Sequence, residues 1–211
     1  AAVRARAAGY DGVELHCAHS YFLNAFLSPT VNHRTDRFGG NIEGRMRVVL
    51  DIMEGIRHSC GENFLISVRL GFDEPDLESS AFMAGTFEKA GMDFLHVSTG
   101  FGSTGFMDER TMENPPDEFP FNIRIWGAMQ MKQRVSCPVI AVGGIRQGQQ
   151  GMFLLEQECA DFVALGRALL CDPEWVIKIK QGREIVSCRN CRKCLWSTDY
   201  HKCPGWREYH G

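Results

Sequence analysis

"PVIAVGGIRQGQQGMFLLEQECADFVALGRALL", residues 138–170, decides the fold. An apolar run, "PVIAVGGI" (138–145), is followed by a helical pattern, "GQQGMFLLEQECA" (148–160). A second apolar run, "DFVALGRALL" (161–170), comes next. Two short apolar segments with a helix between them read as a βαβ unit, whose strands must be parallel.

The same cadence extends upstream. "VELH" (13–16), "FLISVRL" (64–70) and "DFLHVSTG" (93–100) read as strands. They read as near-continuous apolar runs, the pattern of strands buried on both faces. "AAVRARAAGYDG" reads as a helix with Gly9 as its C-cap. Residues 41–58 form a second helix with Asn41 as N-cap. Helices also read over 79–91, closed by Gly91, over 124–135 and near 173–181. Residues 101–121 read as a long loop rich in glycine, proline and charge, and Met107, Asp108, Glu109 and Arg110 are candidates to cover a substrate. Five parallel strands belong to an open sheet or to part of a (β/α)8 barrel, which has eight strands and about 250 residues. No G-x-G-x-x-G follows the first strand, which disfavours a dinucleotide-binding open sheet. His16, Arg69, Gly100, Gly143, Gly144, Gly166 and Arg167 all fall at strand C-termini, the face on which barrel enzymes build their sites. The expected fold is therefore α/β, the second part of a TIM barrel over 1–183, followed by a Cys-rich tail over 184–211.

Composition narrows the function. The chain has 211 residues, 44% apolar and 23% charged, with a net charge of −3. No basic surface argues for nucleic acid or an anionic membrane. No run of 18 apolar residues spans a bilayer. No leader is recognisable, so a cytoplasmic location is expected. The first residue is not Met and already reads as helix, which points to a piece of a larger protein. Of nine cysteines, Cys17, Cys60, Cys137, Cys159 and Cys171 are scattered among apolar residues and read as small buried hydrophobes. Cys188, Cys191, Cys194 and Cys203 follow the pattern C-x2-C-x2-C-x8-C, which suits a metal or cluster loop better than disulfides.

The chemistry concentrates in "VELHCAHSYFLNAFLS" (13–28), where His16, His19 and Tyr21 follow one strand end. Two donors aimed at one carbonyl oxygen stabilise a developing enolate. A phenol two residues on can protonate the neighbouring carbon. Arg69 ends another strand, an expensive place for an unpaired guanidinium, and calls for an anionic partner.

"GYDGVELHCAHSYFLNAFLSPTVNHRTDRFGGNIEGRMR", with "SVRL", "VGGI" and "ALGRALL" further on, resembles the Old Yellow Enzyme family of FMN-dependent NADH:flavin oxidoreductases. The resemblance spans the chain nearly end to end and implies barrel strands four to eight. It implies that His16 and His19 hold the substrate carbonyl and that Tyr21 donates the proton. It implies that Arg69 lies against the N1–C2=O edge of FMN, and that Gly143, Gly144, Gly166 and Arg167 hold its phosphate. Arg34, Asp36, Arg45 and Arg47 read as a structural ion-pair and capping set. The tail is similar to that of the subgroup with 2,4-dienoyl-CoA reductase and trimethylamine dehydrogenase, which implies a 4Fe–4S cluster on Cys188, Cys191, Cys194 and Cys203. The last gap is shorter than that subgroup's, and a four-thiolate zinc site makes the same demands.

Three functional readings follow. The first is an FMN-dependent enzyme taking hydride from NAD(P)H and reducing an activated C=C in an enone, enoate or enoyl thioester. The second is a cluster-linked flavin dehydrogenase of the trimethylamine dehydrogenase kind, which the histidine pair disfavours because amine oxidation has no carbonyl to hold. The third is a non-catalytic fragment with a structural zinc. Open sheet edges imply self-association or pairing with the missing half of the barrel.

Overall fold

The structure, a computed structural model, describes residues 1–100, 119–196 and 198–211. The expected covering loop, with Met107 to Arg110, lies outside the described residues. Strands β1 (Gly12–Cys17), β2 (Leu65–Gly71), β3 (Phe94–Ser98), β4 (Val139–Val142) and β5 (Phe162–Ala164) form one sheet in the order β1-β2-β3-β4-β5. The β1–β2, β2–β3 and β3–β4 pairs are parallel. This is the α/β, parallel-strand architecture of part of a TIM barrel. The chain divides into two compact units, Ala1–Val142 with Cys159–Phe162, and Gly143–Glu158 with Val163–Gly211.

In the first unit, helix α1 (Ala2–Ala7) precedes β1, and α2 (Phe22–Leu27), α3 (Ile42–Cys60), α4 (Leu77–Lys89) and α5 (Ile123–Lys132) intervene between strands. The Asn41 side chain caps α3 by accepting from Gly44 N, and Asp76 caps α4 by accepting from Ser79 N at 2.7 Å. Buried Met46, Val49, Met53, Ile56 and Cys60 recur at three- and four-residue steps and form the core stripe of α3. On β2, Ile66, Val68 and Leu70 are buried while Ser67 and Arg69 are only partly so. β2 therefore alternates rather than being apolar on both faces, whereas β4 (VIAV) and β5 (FVA) are apolar throughout. The face opposite Ile66 and Val68 carries Ser67 and Arg69, and by register and period Glu14, His16 and His96 as well.

The starts of two strands share one device. The Asp93 carboxylate, just before β3, accepts from Ile66 N at 2.7 Å and pairs with the Arg57 guanidinium at 2.7 Å. Arg57 also donates to the carbonyls of Glu62, Phe64 and Gly91. Asp161, just before β5, accepts from Val139 N and pairs with Lys132, both at 2.7 Å. Aspartate thus ties each strand start to its neighbour and to the C-terminal turn of a helix.

The second unit holds α6 (Gly148–Glu156), α7 (Arg167–Cys171), α8 (Trp175–Lys180), a 3-10 turn (Tyr200–Lys202) and α9 (Pro204–His210). Its centre is Asp172, fully buried, which accepts from Lys178 Nζ at 2.8 Å and Val186 N at 2.9 Å. The expected strand over 161–170 stops at Ala164, because Gly166 leaves the extended region and starts α7. Two helices are additions to the sequence reading. Tyr21, in extended conformation, starts α2, and Pro204 at the first position starts α9.

Candidate functional site

Parallel pairing places three polar side chains in one row. His16 on β1 lies opposite Arg69 on β2, and Arg69 lies opposite His96 on β3. Beyond Cys17 and Ala18 the chain turns sharply. His19 (φ 60°) and Ser20 (φ 64°) both occupy the left-handed region, which costs energy in residues other than glycine. Asn24 holds this turn by accepting from Ser20 N at 2.8 Å, and its amide donates to Glu74 Oε2 at 2.6 Å. The turn folds His19 and Tyr21 back over His16. The His16–His19 and His16–Tyr21 ring centroids are 5.1 and 5.2 Å apart. His19 Nε2 lies 2.6 Å from the Ser98 hydroxyl at the end of β3. Tyr21 is 64% exposed, so its phenol is open to a substrate.

The charges of this cluster set its protonation. Burial, then the nearby Arg69 guanidinium and the charges of His16, Arg124 and His96, push His19 down to about 4. Burial and Arg69 also lower His16 against the opposing pull of Glu14. Both imidazoles are accordingly neutral near pH 7, and a neutral imidazole offers one N–H donor. Burial works to raise Glu14, but the hydrogen bond and charge of His96, with Ser67 and Arg69, hold its carboxyl below the usual range. Glu14 lies 3.0 Å from His96 Nδ1 and accepts from Ser67 Oγ at 2.9 Å.

Three buried polar atoms at this end of the sheet have no hydrogen-bond partner among the described residues: Arg69 Nε, His96 Nε2 and Asp73 Oδ2. Native folds rarely leave such atoms orphaned without a ligand or water in view. Burial also raises Asp73, although its other oxygen accepts from Gly100 N at 2.6 Å. A cationic, partly buried guanidinium with a spare donor fits the electron-rich edge of a flavin. Glu14, His96, Ser98 and Asp73 escaped the sequence reading. The available signal was the two-residue period, which puts Glu14 on the face of His16 and makes His96 and Ser98 partners on β3.

Of the set expected to shape the loop after α2, Arg34, Asp36 and Arg45 make such contacts. Arg34 pairs with Asp36, and Arg45 donates to the carbonyls of Leu27 and Gly40 at 2.8 Å each.

In the second unit, Gly143 (φ 138°) and Gly144 (φ 68°) follow β4 in conformations that glycine alone adopts readily. Gly166 is the N-cap of α7 and Arg167 its first residue. The Arg167 guanidinium donates to Asn190 Oδ1 at 3.0 Å. A cavity of about 250 Å³ is lined by Arg167, Lys193, Trp196 and all four tail cysteines, Cys188, Cys191, Cys194 and Cys203. Cys171, read from the sequence as a plain buried hydrophobe, lines it too. Among the described residues, no three His, Cys, Asp or Glu side chains converge on a point that could hold one metal ion. The thiols are instead distributed around a space several times the ~30 Å³ share of a water molecule.

Residues 1–185 match the NADH:flavin oxidoreductase / NADH oxidase family. The chain belongs to that family. An NADH oxidase from Thermoanaerobacter brockii is 40% identical over 198 residues, which cover 90% of this chain and 30% of the relative. Morphinone reductase in complex with tetrahydroNAD superposes with a TM-score of 0.67 at 27% identity, over 94% of this chain and 52% of that one. A 2-naphthoyl-CoA reductase complex has a TM-score of 0.79 at 22% identity, over 96% of this chain and 31% of its own, and shows the shared fold. The chain thus spans about 30% of that curated relative's length.

Proposed function

We propose that this chain carries the substrate-facing strand ends of an FMN-dependent oxidoreductase that takes hydride from NAD(P)H and reduces an activated C=C. The observation that carries this reading is the cluster of His16, His19 and Tyr21 over the row containing Arg69. His16 and His19, neutral near pH 7, each present an N–H to the carbonyl of an enone, enoate or enoyl thioester. Two such donors stabilise the negative charge that grows on that oxygen. Tyr21, exposed beside His16, delivers the proton to the carbon next to the carbonyl. FMN, when bound, supplies the hydride. Arg69 holds its N1–C2=O edge, where charge gathers on reduction. For the phosphate the proposal names Gly143, Gly144, Gly166 and Arg167, which follow the fourth and fifth strands in chain order. The kinship to an NADH oxidase and to a reductase bound to a nicotinamide analogue supports the choice of reductant.

The tail is read as a site for a 4Fe–4S cluster held by Cys188, Cys191, Cys194 and Cys203. The thiols' spread around one cavity supports a body larger than the single ion of a zinc site, whose four sulfurs must all lie about 2.3 Å from the metal. A cluster, when bound, supplies one-electron transfer.

The test separates the two halves of the reaction. In the flavin-loaded protein, Tyr21→Phe should slow alkene reduction by roughly 10²-fold and leave flavin reduction by nicotinamide unchanged. Protein that binds no flavin, or equal loss in both half-reactions, overturns the proposal.

A further inference from the structure

Beyond the four tail cysteines, the cavity lining includes two donors whose polar atoms are buried, the Cys171 thiol and the Trp196 indole. Cys171, at the end of α7, is 2% exposed, and its Sγ lies 3.9 Å from Cys203 Sγ. Gly205, at the start of α9, packs directly on it, and a Cβ there would stand 2.6 Å from the Cys171 sulfur. The missing side chain is what lets α9 close over this thiol. Trp196 lines the same cavity, and its Nε1 is buried with no partner among the described residues. An indole N–H can only donate.

We propose that Cys171 and Trp196 are positioning residues that donate hydrogen bonds to the sulfur atoms of the tail's metal centre and raise its reduction potential. The inference rests on the cluster reading above. The direction of the Cys171 bond follows from ligation. A metal-bound Cys203 is a thiolate with no proton to give, so in the 3.9 Å contact the proton belongs to Cys171. A four-iron cluster is complete with four thiolates, and the tail's own spacing supplies four. Cys171 is therefore the surplus thiol, held protonated against a ligand. The Trp196 N–H, without a partner among the described residues, belongs to a side chain that lines the same sulfur-bearing space. Hydrogen bonds to ligating and bridging sulfur withdraw electron density, stabilise the reduced state and move the potential upward.

The experiment uses anaerobically prepared protein as wild type, Cys171→Ala, Cys171→Ser, Trp196→Phe and Cys203→Ala. Each is analysed for iron and acid-labile sulfide and titrated potentiometrically with EPR detection. Cys203→Ala should lose iron, while the Cys171 and Trp196 variants should keep about four iron and four sulfide per chain. The midpoint should move to more negative potential in Cys171→Ala and in Trp196→Phe. Serine at 171, a stronger donor, should restore or exceed the wild-type value. Unchanged midpoints in both variants would overturn the proposal. So would loss of iron from Cys171→Ala, which would make Cys171 a ligand. Wild-type protein without iron and sulfide would instead sink the cluster reading itself, an outcome visible before any variant is titrated.

Discussion

At the start of β3 the Arg57 guanidinium meets three carbonyls and the Asp93 carboxylate. At the end of β2 the Arg69 guanidinium has a buried Nε with no partner among the described residues, and burial and Arg124 outweigh the support that Glu14 gives its charge. Arg57 reaches the strand starts from the last turn of α3 and Arg69 stands near the end of β2, yet one is saturated and the other is left wanting. The same contrast runs along the sheet. Lys132 and Asp161 answer each other at a strand start, whereas Asp73 and His96 keep orphaned atoms toward the strand ends. Polar groups matched within the chain stabilise the fold. Polar groups left unmatched among the described residues cost stability and remain open to a further partner.

The largest expected effect lies at the matched end. Arg57→Ala removes the partner of Asp93 and the donor to the part-buried Phe64 and Gly91 carbonyls, so it should cost roughly 2–3 kcal/mol in urea unfolding. A loss below about 1 kcal/mol would break the contrast, because such a value is typical of an ordinary exposed pair. Next comes Arg69→Met, which removes an unsatisfied, partly desolvated charge from the open end. Its unfolding free energy should stay within about 1 kcal/mol of wild type or rise above it. Its affinity for FMN should fall at least about tenfold, or about 1.4 kcal/mol. Destabilisation equal to that of Arg57→Ala would show that Arg69 serves the fold instead.

The smallest effect is in pH. His19 is held at about 4 against an ordinary value of 6.5, so the unfolded chain takes up a proton first. Its contribution to stability is complete above about 6.5 and drains away as pH falls towards about 4, where the folded state also protonates. The slope should be well below the ~1.4 kcal/mol per pH unit of a fully buried site. His19→Gln should flatten the difference between unfolding curves at about pH 7 and about pH 5. A His19 ring that titrates near 6.5 by NMR would remove the basis for two neutral donors at the substrate carbonyl.

The strand–helix cadence was legible because parallel strands and core helices announce themselves by apolar runs and by caps such as Asn41. The alternation on β2 was harder to see. Ser67 and Arg69 are embedded among Ile66, Val68 and Leu70, and a single arginine reads as a strand end rather than as one face. The helix α2 was hidden because Tyr21 is a poor N-cap by type, and tertiary contacts of Asn24 define the preceding turn. The residues His16, His19, Tyr21 and Arg69 could be picked from sequence because their chemistry is rare at a strand end. Their supports could not. Ser98 meets His19 across 79 positions of sequence, and His96 meets Glu14 across 82, separations that only the sheet register closes. Cys171 was read by composition alone, and nothing local distinguishes a buried thiol from one that faces other thiols.

That register has a consequence for how the gene tolerates change. His16, Arg69 and His96 share a row because β1, β2 and β3 pair in this register, with the start of β2 fixed by the Asp93 carboxylate. A single-codon deletion between Asn63 and Val68 would leave every residue type present and yet shift β2 by one place. Val68 and Leu70 would then point where Ser67 and Arg69 do, and the arginine would turn into the helix-covered core. Point substitutions can separate folding from chemistry in this protein, as the two arginines do, but insertions and deletions within β1, β2 or β3 cannot. In a mutational library, length changes should therefore survive between elements and vanish within these strands, outlining the site without any reference to activity.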